Sequence, residues 1–148
     1  MSGSFTVDAS AVLKLIVEEP GTEHARIFFG RLGDPSPIIL YAPDLLYIEC
    51  ANTVWKYIGR YHYAPPQAQV ALRALAALPI QTVPTRVLFQ EALNLSIRHK
   101  ISAYDACYLA LAQRLRCPLV TEDMDLIRQV RLHTEVPLLS LVEAVRKT

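Results

Sequence analysis

Brief β-favouring runs alternate with amphipathic stretches from one end of the chain to the other, and few folds accommodate that rhythm. The runs are FTV at 5–7, IILY at 38–41, IQTV at 80–83, PLVT at 118–121 and PLL at 137–139. Each is short and apolar enough for a buried strand. Between them apolar residues recur at helical spacing. ASAVLKLIV begins a helix at Ala9, and Thr22 is a candidate cap for a second, with Ala25, Phe28, Phe29 and Leu32 on one face. After the turn GDPSP, Pro43 and Asp44 open a long helix over 44–59. A loop at 61–66 leads to a helix ending near 78. Others follow from Pro84 to about 99, from Ser102 to about 116, over 122–132, and at the C-terminus. Strands alternating with helices predict an α/β domain with a mostly parallel sheet. The length of 148 residues suits one domain over 1–148.

Composition removes several classes of function. The chain is 52% hydrophobic and 20% charged, too apolar for a disordered segment. No run of about 18 apolar residues occurs, so no membrane span is expected. The start, MSGSFTVDAS, lacks the basic and apolar regions of a signal peptide, so the expected location is the cytoplasm. Cys50, Cys107 and Cys117 are odd in number and form no CxxC pair; they read as small core residues in a reducing compartment. With a net charge of +1, any nucleic-acid footprint has to be local. GxSxG, GxxxxGK[ST] and GxGxxG are absent, His24, His62, His99 and His133 lack zinc spacing, and DAS lacks the second acid of a DxD motif.

Four acids stand at the ends of these elements: Asp8, Glu49, Asp105 and Asp123. Asp8 ends the first strand and Asp123 follows the strand at 118–121, so both rise toward the crevice where such sheets bind ligands. Glu49 shares a helical stripe with Asn52, Thr53, Lys56 and Arg60, opposite an apolar side of Leu46, Tyr47, Cys50, Ala51, Val54 and Ile58. Asp105 falls by helical angle among Tyr108, Leu109, Ala112 and Leu115, where a lone carboxylate is costly. Each acid also has a plainer reading. Asp8 suits a helix cap, Ser102-x-x-Asp105 fits a capping box, Asp123 favours a helix dipole, and Glu49 fits a solvated face. Glu122 and Asp125 flank Asp123 and leave the fourth acid open. If the acids converge, a hard dication such as Mg²⁺ or Mn²⁺ makes them tolerable together.

FTVDASA, IECANTVWK and ISAYDACYLALAQRLRCPLVTEDMDL occur in the order of the PIN-domain family, and the chain resembles that family over nearly its whole length, especially its VapC-like toxin ribonucleases. The last stretch is the most specific. The resemblance implies a three-layer α/β/α sandwich and an acidic cluster of Asp8, Glu49, Asp105 and Asp123. It prefers Asp123 to Asp125 and implies polar positions at Ser10 and Thr121. It further implies hydrolysis of RNA to a 5′-phosphate and a 3′-hydroxyl, an antitoxin partner that inserts a segment into the acidic groove, and a homodimer. In this reading Asp8, Asp105 and Asp123 bind Mg²⁺ or Mn²⁺. Glu49 acts through water or orients the attacking water, and Ser10, Asn52 and Thr121 support them by hydrogen bonds.

Substrate contacts are sought in WKYIGRYHY (55–63), where aromatics interleave with Lys56 and Arg60, and in Arg98, Lys100, Arg114 and Arg116. Packing against a second subunit and simple solvation are the plainer readings of these residues. Two other functions remain open: a non-catalytic member of the fold that binds RNA or protein, and an α/β domain whose acids are only caps.

Overall fold

The computed structural model describes residues 3–148. Strands β1 (Ser4–Val7), β2 (Ile39–Pro43), β3 (Ile80–Val83), β4 (Leu119–Val120) and β5 (Leu138–Leu139) form one sheet in the order β3-β2-β1-β4-β5. Every neighbouring pair is parallel, with Thr6 opposite Tyr41 on one side and Leu119 on the other. Parallel neighbours need long crossovers, which here are helical: α1 (Ala9–Ile16), α2 (Thr22–Gly30), α3 (Leu45–Tyr61), α4 (Pro65–Ala77), α5 (Phe89–His99), α6 (Ala103–Leu115), α7 (Met124–Val130) and α8 (Leu141–Val145).

Helices flank the sheet. Helix α6 packs on β1, β2 and β4 and against α5; α1 packs against α2, α3 and α4; α2 meets α8. The central strands are largely buried on both faces, as expected of a sheet covered by helices on each side. Phe5, Val7, Leu40, Ala42, Leu119 and Val120 are all buried. Phe5 meets Phe28 of α2 edge-on, with ring centroids 5.3 Å apart. Three buried free cysteines, Cys50, Cys107 and Cys117, are part of the interior.

Strand order reverses between β1 and β4. From β1 the chain moves outward to β2 and β3, then returns to β4 and continues to β5. The crevice beyond such a reversal is where parallel sheets hold ligands. Asp8 follows β1 and Asp123 lies just past β4, so both acids reach it.

Several expectations need correction. Thr22 does not cap α2. Gly21 does, in a left-handed conformation (φ 97°) open to glycine, while the Thr22 hydroxyl donates to the Val17 carbonyl and accepts the Glu19 N–H. The helix expected directly after Pro84 starts as a 3-10 turn (Thr85–Val87), and α7 starts at Met124, which makes Asp123 its cap. Tyr47 and Leu115, placed on apolar faces by helical angle, are exposed. The reciprocal capping box is at Ser140 and Glu143. At Ser102 the hydroxyl accepts the Asp105 N–H and donates to the Asp105 carboxylate.

Candidate active site

A cavity of about 330 Å³ opens at the β1–β4 reversal, and Asp8, Glu49, Asp105 and Asp123 all line it. Four elements supply them: the β1–α1 junction, α3, the first turn of α6, and the turn between β4 and α7. The cap reading and the site reading turn out to be compatible. Asp8 Oδ1 accepts the Ala11 N–H at 3.1 Å and the Ser10 hydroxyl at 2.6 Å. Asp123 Oδ1 accepts the Leu126 N–H at 3.0 Å. Asp105 Oδ2 accepts the Ser102 hydroxyl at 2.9 Å, and Glu49 Oε1 accepts the Tyr108 hydroxyl at 2.7 Å. In each acid one oxygen is held, and the other accepts no hydrogen bond among the described residues.

Ser10 and Thr121 tie the two strand ends together. A hydroxyl has one proton to give. Ser10 gives its proton to Asp8, so the 3.2 Å contact between Ser10 and Thr121 is made by the Thr121 proton. Thr121 Oγ1 accepts the Asp123 N–H at 3.1 Å, and Ser10 Oγ accepts the Glu122 N–H at 2.8 Å. A directed chain of hydrogen bonds thus runs from the backbone of Asp123 through Thr121 and Ser10 to the carboxylate of Asp8.

These acids carry an electrostatic load. Burial pushes Asp8, 4% exposed, up to about 6, against the pull of the Ser10 hydroxyl and the Ala11 N–H, with the charge of Asp105 adding to the rise. Burial also raises Glu49 and Asp105; the charge of Asp105 adds to the first and that of Asp123 to the second. Among the described residues none of the four is ion-paired with lysine or arginine. The nearest cation in the lining, Lys14, pairs instead with Glu19 at 3.7 Å. Burial, then the charges of Glu49 and Asp8, push the Cys50 thiol up to about 12, so it stays protonated and is no nucleophile.

Hard oxygen donors in mutual repulsion, without a protein counter-charge, suit a dication in chemical type. Their spacing is wider than a closed site: among the described residues no three such side chains stand close enough to hold a cation as they are placed.

The PIN domain family profile matches residues 5–132. The chain belongs to the PIN-domain family. A relative, Ribonuclease VapC3 of Pyrobaculum aerophilum, is 31% identical over 124 residues, covering 81% of this chain and 89% of its own length. This PIN domain also superposes on the crystal structure of PAE2754 from Pyrobaculum aerophilum with a TM-score of 0.71 at 20% identity, over 99% of this chain and 97% of the other. A toxin-antitoxin complex from Klebsiella pneumoniae gives a TM-score of 0.60 at 17% identity, over 95% and 98%.

Within the PIN domain the remaining candidates fall in different places. Asp125 turns away, exposed and ion-paired with Arg128, so Asp123 is the acid that reaches the cavity. Asn52 is exposed and outside the lining. Lys56 and Arg60 lie with Trp55, Ile58 and Gly59 around a separate cavity. Helical angle put them near Glu49, but a rise of ~1.5 Å per residue carries them past the rim. Thr53 and Tyr57 line the site instead. Arg98 and Lys100 line a third cavity, and Arg114 is taken up by Glu91 and the Val87 carbonyl.

Lys14, Glu19 and Tyr57 line the acid cavity without having been foreseen; Tyr108 and Glu122, the latter weighed beside Asp123 as a flanking acid, line it too. Tyr57 donates to Glu19 at 3.4 Å, and Glu122 accepts the Leu141 N–H at 2.6 Å, holding the start of α8 against the site. Tyr108 was legible as a neighbour of Asp105 on one helical face; its bond to Glu49 was not.

Proposed function

We propose that this PIN domain, taken as a single domain over 1–148, is a metal-dependent endoribonuclease and the toxin of a toxin–antitoxin pair in the cytoplasm. One observation carries the reading: four carboxylates without a basic partner share a cavity at the strand reversal, each with one oxygen held and one unengaged. The names of its relatives point the same way.

In this reading Asp8, Asp105 and Asp123 hold Mg²⁺ or Mn²⁺, and Glu49 orients the attacking water or binds through water. When bound, the cation offsets the charge of the scissile phosphate and of the departing 3′ oxygen. The chain's own residues fix the rest. Ser10 and Thr121 set the Asp8 carboxylate, Ser102 sets Asp105, and Tyr108 sets Glu49, as outer-shell partners do. Asn52, Lys56, Arg60, Arg98 and Lys100 are candidate contacts to RNA away from the chemistry. The antitoxin is expected to mask the acidic cavity. A homodimer is expected too, and Ile48 and Trp55 on α3, each 67% exposed, are a candidate contact for it.

Incubation of the purified chain with RNA tests the reading. Cleavage is expected with Mg²⁺ or Mn²⁺, loss of cleavage with chelator, and recovery on adding metal back. Cleavage that survives exhaustive chelation contradicts it. The spacing of the acids favours a second reading, a non-catalytic RNA- or protein-binding module. Calorimetric titration with Mn²⁺ separates the two: heat of binding that disappears in Asp105→Asn supports the nuclease, and absence of binding with the acids intact supports the module.

A further inference from the structure

A cavity of 520 Å³ lies where the end of α5 meets α7 and the 3-10 turn Arg131–His133 that follows it. Arg98, His99, Lys100, Gln129 and His133 line it. Among the described residues no carboxylate faces this space. Arg26, Arg31, Arg114, Arg128 and Arg131 are each ion-paired with an acid, but Arg98 and Lys100 have no such partner among the described residues.

Cations collect at helix C-termini for a plain reason, because they offset the helix dipole and its unpaired carbonyls. Here a neutral side chain already serves two of those carbonyls. Gln129 Nε2 donates to the carbonyls of both His99 and Lys100, at 2.9 and 3.0 Å. Another group is left without a role: His99 is only 8% exposed, and its Nε2 has no hydrogen-bond partner. A buried polar atom left so costs about 1–3 kcal/mol. Burial, then the nearby Arg98 and His133, keep His99 below the ordinary histidine value. Lys100, left-handed at φ 56°, stands two residues before Ser102, whose hydroxyl holds Asp105. The five residues from Lys100 to Asp105 span at most ~17 Å of chain.

We propose that this cavity is a phosphate subsite for single-stranded RNA leaving the acid cavity, with Arg98 and Lys100 as its donors. The proposal rests on the ribonuclease reading for its substrate. Such contacts position a strand without reading its sequence.

The test is the binding of a fluorescein-labelled single-stranded 12-nucleotide RNA to the full chain in chelator, measured across a salt series. Arg98→Gln with Lys100→Gly is the variant, glycine being chosen because Lys100 is left-handed. Arg73→Gln, an exposed position on α4 outside every site described, is the control. Melting temperatures of all three proteins verify folding. The double variant is expected to bind about tenfold more weakly or worse. Its plot of log affinity against log salt is expected to lose ~0.7 of slope per phosphate contact removed. Unchanged affinity and slope, or an equal effect from Arg73→Gln, overturn the subsite. A wild-type chain that cuts RNA in Mg²⁺ while the double variant binds normally sinks the subsite alone. One that binds with the expected loss but never cuts sinks the nuclease reading and leaves the subsite standing. A wild-type chain that binds no RNA overturns both.

Discussion

Tyr108 on α6 donates its hydroxyl to Glu49 Oε1 on α3 at 2.7 Å, joining two helices far apart in sequence across the floor of the acid cavity. Burial, then the charge of Glu49, raise the phenol well above its ordinary value, so it remains a donor throughout the working pH range. One glutamate oxygen is thereby fixed, and the other accepts no hydrogen bond among the described residues. Replacing Tyr108 by Phe removes the donor and keeps the ring. If Glu49 works as proposed, kcat falls ~10–100-fold and Mn²⁺ affinity weakens, with KM for RNA little changed. Single-turnover cleavage and calorimetry measure both; wild-type values for each show that Tyr108 is only packing.

Asp8→Asn and Asp105→Asn are expected to lower cleavage by more than about 100-fold, beyond the usual cost of losing an outer-shell partner. Neither variant is expected to unfold. Burial and like charge disfavour both carboxylates, so a neutral amide relieves the metal-free protein. Melting temperatures equal to or above wild type in chelator, together with loss of the stabilisation that Mn²⁺ gives wild type, are the expected pair of results. A folded Asp105→Asn protein with full activity rules out the assigned roles.

Asp123 and Asp125 are separated by one residue and should behave in opposite ways. Asp123 lines the cavity and receives the Leu126 N–H; Asp125 is solvent-facing beside Arg128. Asp123→Asn is expected to abolish cleavage. Asp125→Asn is expected to keep activity within about twofold and to change stability by less than ~1 kcal/mol, the usual limit for an exposed pair. Cleavage assays and urea melts on the two variants decide it, and an inactive Asp125→Asn reverses the assignment.

The metal-free protein should become less stable as pH rises through the range where Asp8 titrates. Asp8 goes from 3.8 to about 6 on folding, so between these values the folded chain binds a proton that the unfolded chain has released. Stability then decreases with pH in that window. About two pH units correspond to a loss of ~3 kcal/mol from this residue, complete above pH 6 and absent below about pH 4. Urea unfolding from pH 3.5 to 7 in chelator should show the decline, and Asp8→Asn should remove that contribution. Saturating Mn²⁺, by favouring the ionised acids, should flatten it as well. A wild-type curve with the same slope as Asp8→Asn contradicts the buried position of this carboxylate.

Much of the fold was legible because apolar periodicity is a local property. The run IQTV matched β3 residue for residue, and the acids Asp8 and Asp123 could be placed at strand ends before any geometry was known. Helix starts depend on contacts beyond the local segment. Thr22 has the right chemistry for a cap, yet the chain enters α2 through a left-handed Gly21 because the Thr22 hydroxyl is used by Val17 and Glu19.

The amino-acid sequence by itself determined the alternation of strand and helix, the buried composition of the central strands, and the order of the four acids along the chain. Only the tertiary structure decided which side chains meet. It put Tyr108 under Glu49, linked Ser10 to Thr121, 111 positions further along the chain, turned Asp125 outward, and took Lys56 and Arg60 past the acid cavity. Helical angle specifies a direction around one axis; convergence depends also on rise along that axis and on how separate axes cross over the sheet, and neither is a property of any single segment.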